Sequence, residues 1–246
     1  MYKIIQCKCS KNCRDFENSW EEIHWDWLYT LDVRTKEDTL QILRKLDRIY
    51  GKVEPFLVHS SPFQLLIAAI LSAQTTDAMV NKVTVDLFQR FPDAESLGSA
   101  ETEEVAQLVK RINYYKTKSR NIVLTAKMIV DEFEGDVPAD IALLVRLPGV
   151  GRKVANVIMA DVDGIPAGIV VDTHVKRVSS RIGWTTPREP DKIEQDLLQQ
   201  WPQEYFVNTP KQLILIGRNY CFPRNPVCSL CPLRKVCLQN GVVEFR

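Results

Sequence analysis

The sequence predicts an all-α protein with two helical lobes, a helix-hairpin-helix motif and a four-cysteine loop near the C-terminus. Three observations support this fold class. Beyond residue 35, apolar residues recur at steps of three and four, whereas alternating strand patterns are nearly absent. A glycine-containing turn at 147–151, Leu-Pro-Gly-Val-Gly, separates two helical segments. The cysteines of the C-terminal loop follow one another as Cys221-x6-Cys228-x2-Cys231-x5-Cys237.

Helix signals justify the elements in chain order. The first segment, near 35–54, has helical periodicity and ends at Gly51. Ser60-Ser61-Pro62 predicts the start of a helix that is apolar on most sides, and we expect it to be the buried central helix. Gly164-Ile165-Pro166 predicts a break in the chain. Further helices are expected at about 77–90, 101–109, 116–133, 140–146, 152–161, 175–182, 191–200 and 211–220.

Composition places the chain among globular proteins. Of its 246 residues, 45% are hydrophobic and 26% are charged, which suits a protein with a substantial core. No apolar run approaches the roughly 20 residues that span a bilayer, and no signal-peptide pattern is present. We therefore expect an intracellular protein without a membrane partner, in the cytoplasm or nucleoid if it is bacterial.

Charge is distributed unevenly, although the net charge is only +1. Residues 105–130 contain six Lys or Arg and no acid, and residues 210–246 contain six against only Glu244. Such patches can neutralise phosphates whatever the net charge. The alternative is that they are two solvated helix faces.

The turn at 147–151 has the composition of a DNA-backbone contact. Gly149 and Gly151 allow positive φ angles and let backbone N–H groups approach a phosphate at a helix N-terminus. We expect these glycines and the adjacent Arg152 to contact DNA. The alternative is an ordinary turn between packed helices.

The cysteine run favours a metal centre over disulfides. Closely spaced thiolates in an intracellular protein usually bind metal, and the spacing by itself permits either zinc or an iron–sulfur cluster. Prolines at 223, 226 and 232 stiffen the loop.

Several motifs together resemble those of the endonuclease III family, within the helix-hairpin-helix DNA glycosylase superfamily. The matching segments are 71–77 (LSAQTTD), 147–157, 171–178 (VDTHVKRV) and the cysteine run. The similarity extends from about residue 40 to residue 237. It implies a bifunctional DNA glycosylase/AP lyase of base excision repair that excises oxidised pyrimidines from duplex DNA through a lysine Schiff base and β-elimination.

The resemblance implies that Lys153 is the catalytic lysine and Asp172 the catalytic aspartate. A lysine is nucleophilic only when neutral, a form that a desolvated pocket beside a helix N-terminus favours. Asp172 would stabilise the cationic sugar or assist proton transfer. Taken alone, Lys153 could be a phosphate contact and Asp172 a helix N-cap. The implied partner is duplex DNA with a damaged pyrimidine or an abasic site, bound by a monomer.

The resemblance also implies a 4Fe–4S cluster held by Cys221, Cys228, Cys231 and Cys237, with zinc as the alternative. We expect an architectural role for the cluster. Its loop would present basic residues to the phosphate backbone, and Arg224 is the best candidate for such a contact.

Two further positions are implied to enter the duplex when the damaged nucleotide is flipped out. Gln74 would occupy the gap, and Tyr114 aligns with an apolar wedge. Asn113-Tyr114 departs from the Gly-Leu that is usual in the family, which puts the lesion preference in doubt. The alternatives are a polar helix cap for Gln74 and a core position for Tyr115. For His174, a structural role is favoured over proton transfer.

The predicted domains are an N-terminal extension at 1–34, a six-helix lobe at 55–165, and a discontinuous lobe of 35–54 plus 166–246 that carries the cysteine loop. Lys153 and Asp172 would then face each other across the cleft between the lobes. The extension is expected to be mobile.

The cysteines of the extension have two interpretations. Cys7, Cys9 and Cys13 could form a second metal site with His24, but the run lacks the usual C-x2-C pair, which favours incidental thiols.

Two rival functions remain compatible with the motifs. One is a monofunctional mismatch glycosylase, which would release a base without cutting the strand. The other is a non-enzymatic DNA-binding protein that uses the cluster for redox chemistry.

Overall fold

The computed structural model describes residues 34–162, 168–186 and 189–246. Within these ranges the chain forms α-helices, one short 3₁₀ helix at Gln203–Tyr205 and no strand, so the predicted all-α class is confirmed. The helices are α1 Lys36–Tyr50, α2 Pro62–Ser72, α3 Asp77–Arg90, α4 Ala94–Gly98, α5 Thr102–Leu108, α6 Tyr115–Phe133, α7 Ile141–Leu144, α8 Arg152–Val162, α9 Thr173–Ile182, α10 Pro190–Gln200 and α11 Asn208–Asn219.

Some predictions concern residues that lie outside the described ranges. These are the N-terminal extension with Cys7, Cys9, Cys13 and His24, and the chain break at 164–166.

Side-chain caps set the helix starts where the sequence indicates them. Thr35 accepts from the Asp38 N–H at the start of α1, and Ser61 accepts from the Gln64 N–H at the start of α2. Pro62 occupies the first turn of α2, where its missing N–H costs no intrahelical bond. Gly51 ends α1 with a φ of 59°.

Two short helices differ from the sequence prediction. The five-residue α4 was not predicted, because it is too short to show a hydrophobic period; its only signal is the capping box of Asp93 and Ser96. The segment predicted at 140–146 is helical only over the four residues of α7, and turns occupy the remainder up to the hairpin.

Two hydrophobic cores lie in the described part of the chain. The first surrounds α2, whose Leu65, Leu66 and Ile67 are fully buried, and it includes residues of α3 to α8. The second joins α1 with α9, α10 and α11 around the buried Trp184. Residues 34–246 nevertheless form one compact unit, so the division into two lobes stays a prediction.

No helix in the described ranges combines the length and the apolar character needed to cross a bilayer.

Candidate active site

The hairpin between α7 and α8 is held tightly against the first core. Gly149 has a φ of 82°, and a Cβ atom there would lie 2.9 Å from Asn121 Nδ2 and 3.1 Å from Ile70 Cγ2. The Thr125 hydroxyl donates to the Pro148 carbonyl at 2.8 Å. Gly149 is therefore required by both backbone conformation and packing.

Gly151 differs from the prediction that both glycines need positive φ. Its φ is not in the positive range, and a Cβ atom would meet nothing within 4 Å. The open space beside Gly151 instead fits close approach of an external group to the start of α8, where backbone N–H groups are unpaired.

The exposed Lys153 lies in the first turn of α8 and lines a cavity of about 280 Å³. The other cavity-lining residues of α8 are Val154, Val157, Ala160 and Asp161, which share one helix face. The desolvated environment that the sequence analysis expects around this lysine stays a prediction.

Asp172 is the N-cap of α9 and also lines this cavity. Its Oδ1 accepts from the His174 N–H at 2.9 Å and from the Val175 N–H at 2.7 Å. Among the described residues none donates to Oδ2. The N-cap reading and a functional role are thus compatible, because capping orients the carboxylate with one oxygen and leaves the other available.

The cavity lies between the two hydrophobic cores. Leu57, Leu65 and Ala69 are residues of the first core, whereas Phe206 and Ile214 pack against the second core. Most of the lining is apolar, with a small number of polar groups. These polar groups are Ser72, Gln74, Asp77, Lys153, Asp161, Asp172, Lys211 and Arg218. A mostly apolar cavity with a few placed polar groups is typical of a ligand site.

Two ion pairs join different helices that line the cavity. Lys211 of α11 pairs with Asp161 of α8, and Arg218 of α11 pairs with Asp77 of α3. Arg218 also stacks over the Phe56 ring, 4.5 Å from its centroid. Sequence reasoning did not identify these two pairs, because the partners lie on different helices. The helical spacing of 211 and 218 indicates only that Lys211 and Arg218 share a face of α11.

His174 has a structural environment. Its Nδ1 lies 3.1 Å from Arg177 Nη2, a contact that makes Nδ1 the acceptor. Burial lowers the pKa of His174, and the guanidiniums of Arg177 and Arg218 lower it further against the raising effect of Asp172. Arg177 also donates to the Cys221 and Gly217 carbonyls at 2.7 and 3.2 Å. This network connects α9, α11 and the cysteine loop, which favours the structural reading of His174.

Two strained loops lie side by side next to the cavity. Gln74 and Tyr114 have positive φ angles of 55° and 58°, which are rare for non-glycine residues. Both are exposed, Tyr114 to 68%. The Asn113 amide donates to the Gln74 carbonyl at 2.6 Å and so connects the two loops. Asn113, which departs from the Gly-Leu pattern noted in the sequence, therefore provides the hydrogen bond between the two loops.

The buried Lys118 binds the turn that follows α2 and contains Gln74. It is only 6% exposed, and its Nζ donates to the Leu71 carbonyl at 2.9 Å, to the Ala73 carbonyl and to the Thr75 hydroxyl at 3.3 Å. Burial lowers its pKa. Lys118 thus caps the C-terminal end of α2. It is not part of the basic surface predicted for residues 105–130, whereas the other five basic residues of that segment are exposed. Tyr115, in contrast to Tyr114, packs against the first core.

The four cysteines of the C-terminal loop line one cavity with an apolar lining. Arg181 Nη1 donates to Cys221 Sγ at 3.2 Å, and the Gln239 N–H donates to Cys237 Sγ at 3.4 Å. Burial raises the pKa of the Cys237 thiol to about 11, with a further contribution from the neighbouring thiolates. The raised pKa favours the neutral form of the Cys237 thiol unless a cation binds it, and metal binding deprotonates such thiols. Four cysteines around one cavity are therefore a donor set that suits a metal centre.

These thiols surround their cavity and do not converge on one point. Across the described ranges, no group of three or more Cys, His, Asp or Glu side chains is arranged to hold a metal ion.

Two predicted DNA contacts lie apart from the cavity. Arg224 is exposed in the cysteine loop and makes no ion pair with any described residue. Arg152 is exposed at the start of α8, in a surface depression that it shares with Asp191 and Glu194 of α10. Of the basic residues at 210–246, Lys211 and Arg218 are occupied by ion pairs within the protein.

Comparison with known proteins assigns the fold and the family. A family model described as HhH-GPD superfamily base excision DNA repair protein matches residues 67–203. Endonuclease III of a Synechocystis species is 43% identical over 202 residues, which cover 82% of this chain and 92% of that protein. Endonuclease III of Bacillus subtilis is also 43% identical, over 80% of this chain and 90% of that protein.

A solved structure of a trapped covalent intermediate of endonuclease III with DNA is similar to this chain. It has a TM-score of 0.78 and 38% identity, and the match covers 84% of this chain and 97% of that one. The chain belongs to the endonuclease III family within the HhH-GPD superfamily of base excision DNA repair proteins.

Proposed function

We propose that this protein is a bifunctional DNA glycosylase and AP lyase that removes oxidised pyrimidines from duplex DNA. The observation that carries the proposal is that Lys153 and Asp172 line the same cavity, whose walls include residues of both hydrophobic cores. Membership of the endonuclease III family supports it, as does the similarity to an endonuclease III trapped in a covalent intermediate with DNA.

Lys153 is the proposed nucleophile. Its neutral amine attacks C1′ of the damaged nucleotide, a C1′–N bond forms, and the bond from C1′ to the base breaks with the electron pair leaving on the base. Loss of a proton and opening of the sugar then give a Schiff base. Removal of a C2′ proton breaks the C3′–O bond and cuts the strand on the 3′ side.

Asp172 is the proposed electrostatic partner of this reaction. The transition state carries positive charge on the sugar, and a fixed carboxylate near it is stabilising. Because the two N–H groups of α9 bind Oδ1, the orientation of the carboxylate is set before DNA binds. Oδ2 is the oxygen we assign to the sugar.

The hairpin and the two strained loops are the proposed DNA contacts. Backbone N–H groups around Gly149 and Gly151 would bind a phosphate at the start of α8, with Arg152 beside them. Gln74 would fill the gap left by the flipped nucleotide, and Tyr114 would stack at its edge. The Asn113–Gln74 hydrogen bond supports insertion of the two loops as one unit.

A 4Fe–4S cluster is the proposed cofactor, held by Cys221, Cys228, Cys231 and Cys237. The residues fit it, because four partly buried thiols line one cavity and the Arg181 N–H donates to Cys221 Sγ, a type of hydrogen bond that tunes such clusters. Zinc, which also accepts four thiolates, is the alternative occupant of this cavity. The cluster, which can transfer electrons, would here fix the loop that presents Arg224.

The finer assignments rest on the same cavity. We infer a monomer that acts in the cytoplasm or nucleoid, with one six-helix lobe and one cluster lobe meeting at Lys153 and Asp172. The two separate hydrophobic cores support this division.

Borohydride trapping tests the proposal directly. Duplexes with thymine glycol or an abasic site are incubated with the wild type, with Lys153→Ala and with Lys82→Ala, an exposed lysine of α3, as the matched control. We expect a covalent adduct from the wild type and the control on both duplexes, and none from Lys153→Ala. Base release without an adduct or a nick would indicate a monofunctional glycosylase. DNA binding without base release from cluster-loaded protein would indicate the redox alternative.

Absorbance and metal analysis test the cofactor separately. We expect iron and absorbance near 400 nm in the wild type and their loss in Cys231→Ser; zinc without iron would contradict the cluster.

A further inference from the structure

The Lys211–Asp161 ion pair is the most buried charged feature of the cavity. The Lys211 side chain is 16% exposed and that of Asp161 is 7% exposed, whereas the Arg218–Asp77 pair is exposed to 41% and 25%. Asp161 lies eight residues after Lys153 on the cavity face of α8, which places its backbone about 12 Å further along the helix. The pair therefore lies at the end of the cavity remote from the reactive lysine.

Among the residues that the structure describes, both members of the pair retain unused hydrogen-bonding capacity. A lysine ammonium has three donors and a carboxylate has about four acceptor sites. Within the described residues, Lys211 and Asp161 bind only one another through these groups. Their neighbours on the cavity wall, Val157, Ala160 and Ile214, offer no polar side-chain atoms. A donor and an adjacent acceptor thus face an otherwise apolar end of the pocket.

Stability alone does not account for this arrangement. A buried ion pair often contributes no more than a hydrophobic pair of the same volume, because both charges lose their hydration. Polar groups inside an apolar ligand pocket, in contrast, fix the orientation of a ligand and reject one that cannot pair with them.

We propose that Lys211 and Asp161 read the Watson–Crick edge of the extruded base. Lys211 donates to a ring or carbonyl acceptor, and Asp161 accepts from the neighbouring N–H. The substrate class is a pyrimidine lesion that keeps a donor next to an acceptor on that edge, such as a ring-saturated thymine. This assignment rests on the proposed function, in which Lys153 attacks the sugar at the other end of the same nucleotide.

The second ion pair does not share this role. Asp77 lies three residues after Gln74, and Arg218 stacks on Phe56, so this more exposed pair belongs to the mouth of the cavity. The main competing explanation for Lys211–Asp161 is a clamp that holds α8 against α11. The two explanations differ in their effect on a substrate that has no base.

Two duplexes separate these explanations, one with thymine glycol and one with an abasic site. We expect Asp161→Asn and Lys211→Gln each to lower the ratio of base-release rate to abasic-cleavage rate by at least tenfold. The matched control is Arg146→Gln, which removes an ion pair with Glu132 outside the cavity and should leave the ratio as in the wild type. Melting temperatures are measured for all variants.

The charge-swapped double variant, Asp161→Lys with Lys211→Asp, gives an independent result. A clamp would be restored by the swap, whereas base reading would not, since donor and acceptor exchange places. Restored thymine glycol excision, or an unchanged rate ratio in the neutral single variants, would overturn the proposal. If the swapped protein does not fold, the neutral variants decide. A wild type that cleaves neither duplex would instead refute the proposed function itself.

Discussion

The two hairpin glycines offer a matched pair of substitutions with opposite expected effects. In Gly149→Ala the new methyl group would lie 2.9 Å from Asn121 Nδ2 and 3.1 Å from Ile70 Cγ2, on a backbone with a φ of 82°. A non-glycine residue in that conformation costs about 1–2 kcal/mol, and forcing an extra methyl into a packed site costs about 1–3 kcal/mol. We expect a loss of about 2–5 kcal/mol in the free energy of unfolding, or about 4–20 °C in melting temperature.

Gly151→Ala adds the same methyl group where nothing lies within 4 Å and φ is not positive. Its cost to stability should stay within about 1 kcal/mol, the typical difference between glycine and alanine at a helix N-cap. Affinity for a duplex with an abasic analogue should nevertheless fall, because the methyl group occupies the space that a phosphate would approach.

The assay is thermal unfolding of both variants, followed by fluorescence anisotropy with labelled DNA. Equal melting temperatures would refute the packing explanation for Gly149. Wild-type DNA affinity in a well-folded Gly151→Ala protein would refute the phosphate site at the start of α8.

Three further substitutions test residues that support the site. Lys118→Met leaves the Leu71 carbonyl and its neighbours without their buried donor, so unfolding free energy should fall by about 2–4 kcal/mol in urea titration. Asn113→Gly removes the hydrogen bond to Gln74 and should weaken binding to a duplex with an abasic analogue by about 2- to 10-fold in anisotropy measurements. Burial raises the pKa of Glu194 above its unfolded value, so its favourable contribution is complete at low pH and is lost as pH rises through the folded pKa. Glu194→Gln lacks that loss, and its melting temperature relative to the wild type should rise between about pH 4 and pH 7.

The control for Lys118→Met lies on the same helix, α6, and the other two predictions each have a result that would contradict them. Lys116→Met, an exposed lysine of α6, should leave stability within about 0.5 kcal/mol of the wild type, and an equal loss there would contradict the capping role of Lys118. A tighter DNA complex of Asn113→Gly would contradict the connection between the two loops. A melting difference for Glu194→Gln that falls with pH would contradict the assigned direction of the pKa shift.

Local signals in the sequence predicted most helices closely. The bounds of α3 match the predicted 77–90, because Thr76 caps its first turn and the apolar period ends at Phe91. The sequence pattern does not predict the short α4, because five residues contain too little of a helical period. Gly149 was identified correctly as a positive-φ position, whereas Gly151 was not, because glycine is compatible with many conformations and the chain around it decides which one forms.

The sequence by itself determined the helical class, the hairpin, the capping of α9 by Asp172 and the grouping of four cysteines. Each depends on residues close together along the chain, where propensity, capping and spacing act directly. Only the tertiary structure showed that Asp161 and Lys211 form a buried pair at the end of the Lys153 cavity, and that Asn113 binds the Gln74 loop. These partners are 50 and 39 residues apart, and their contact depends on how α8 packs opposite α11 and on how the turn after α2 meets the turn before α6. Local signals do not encode such packing, because it results from burying both hydrophobic cores at once.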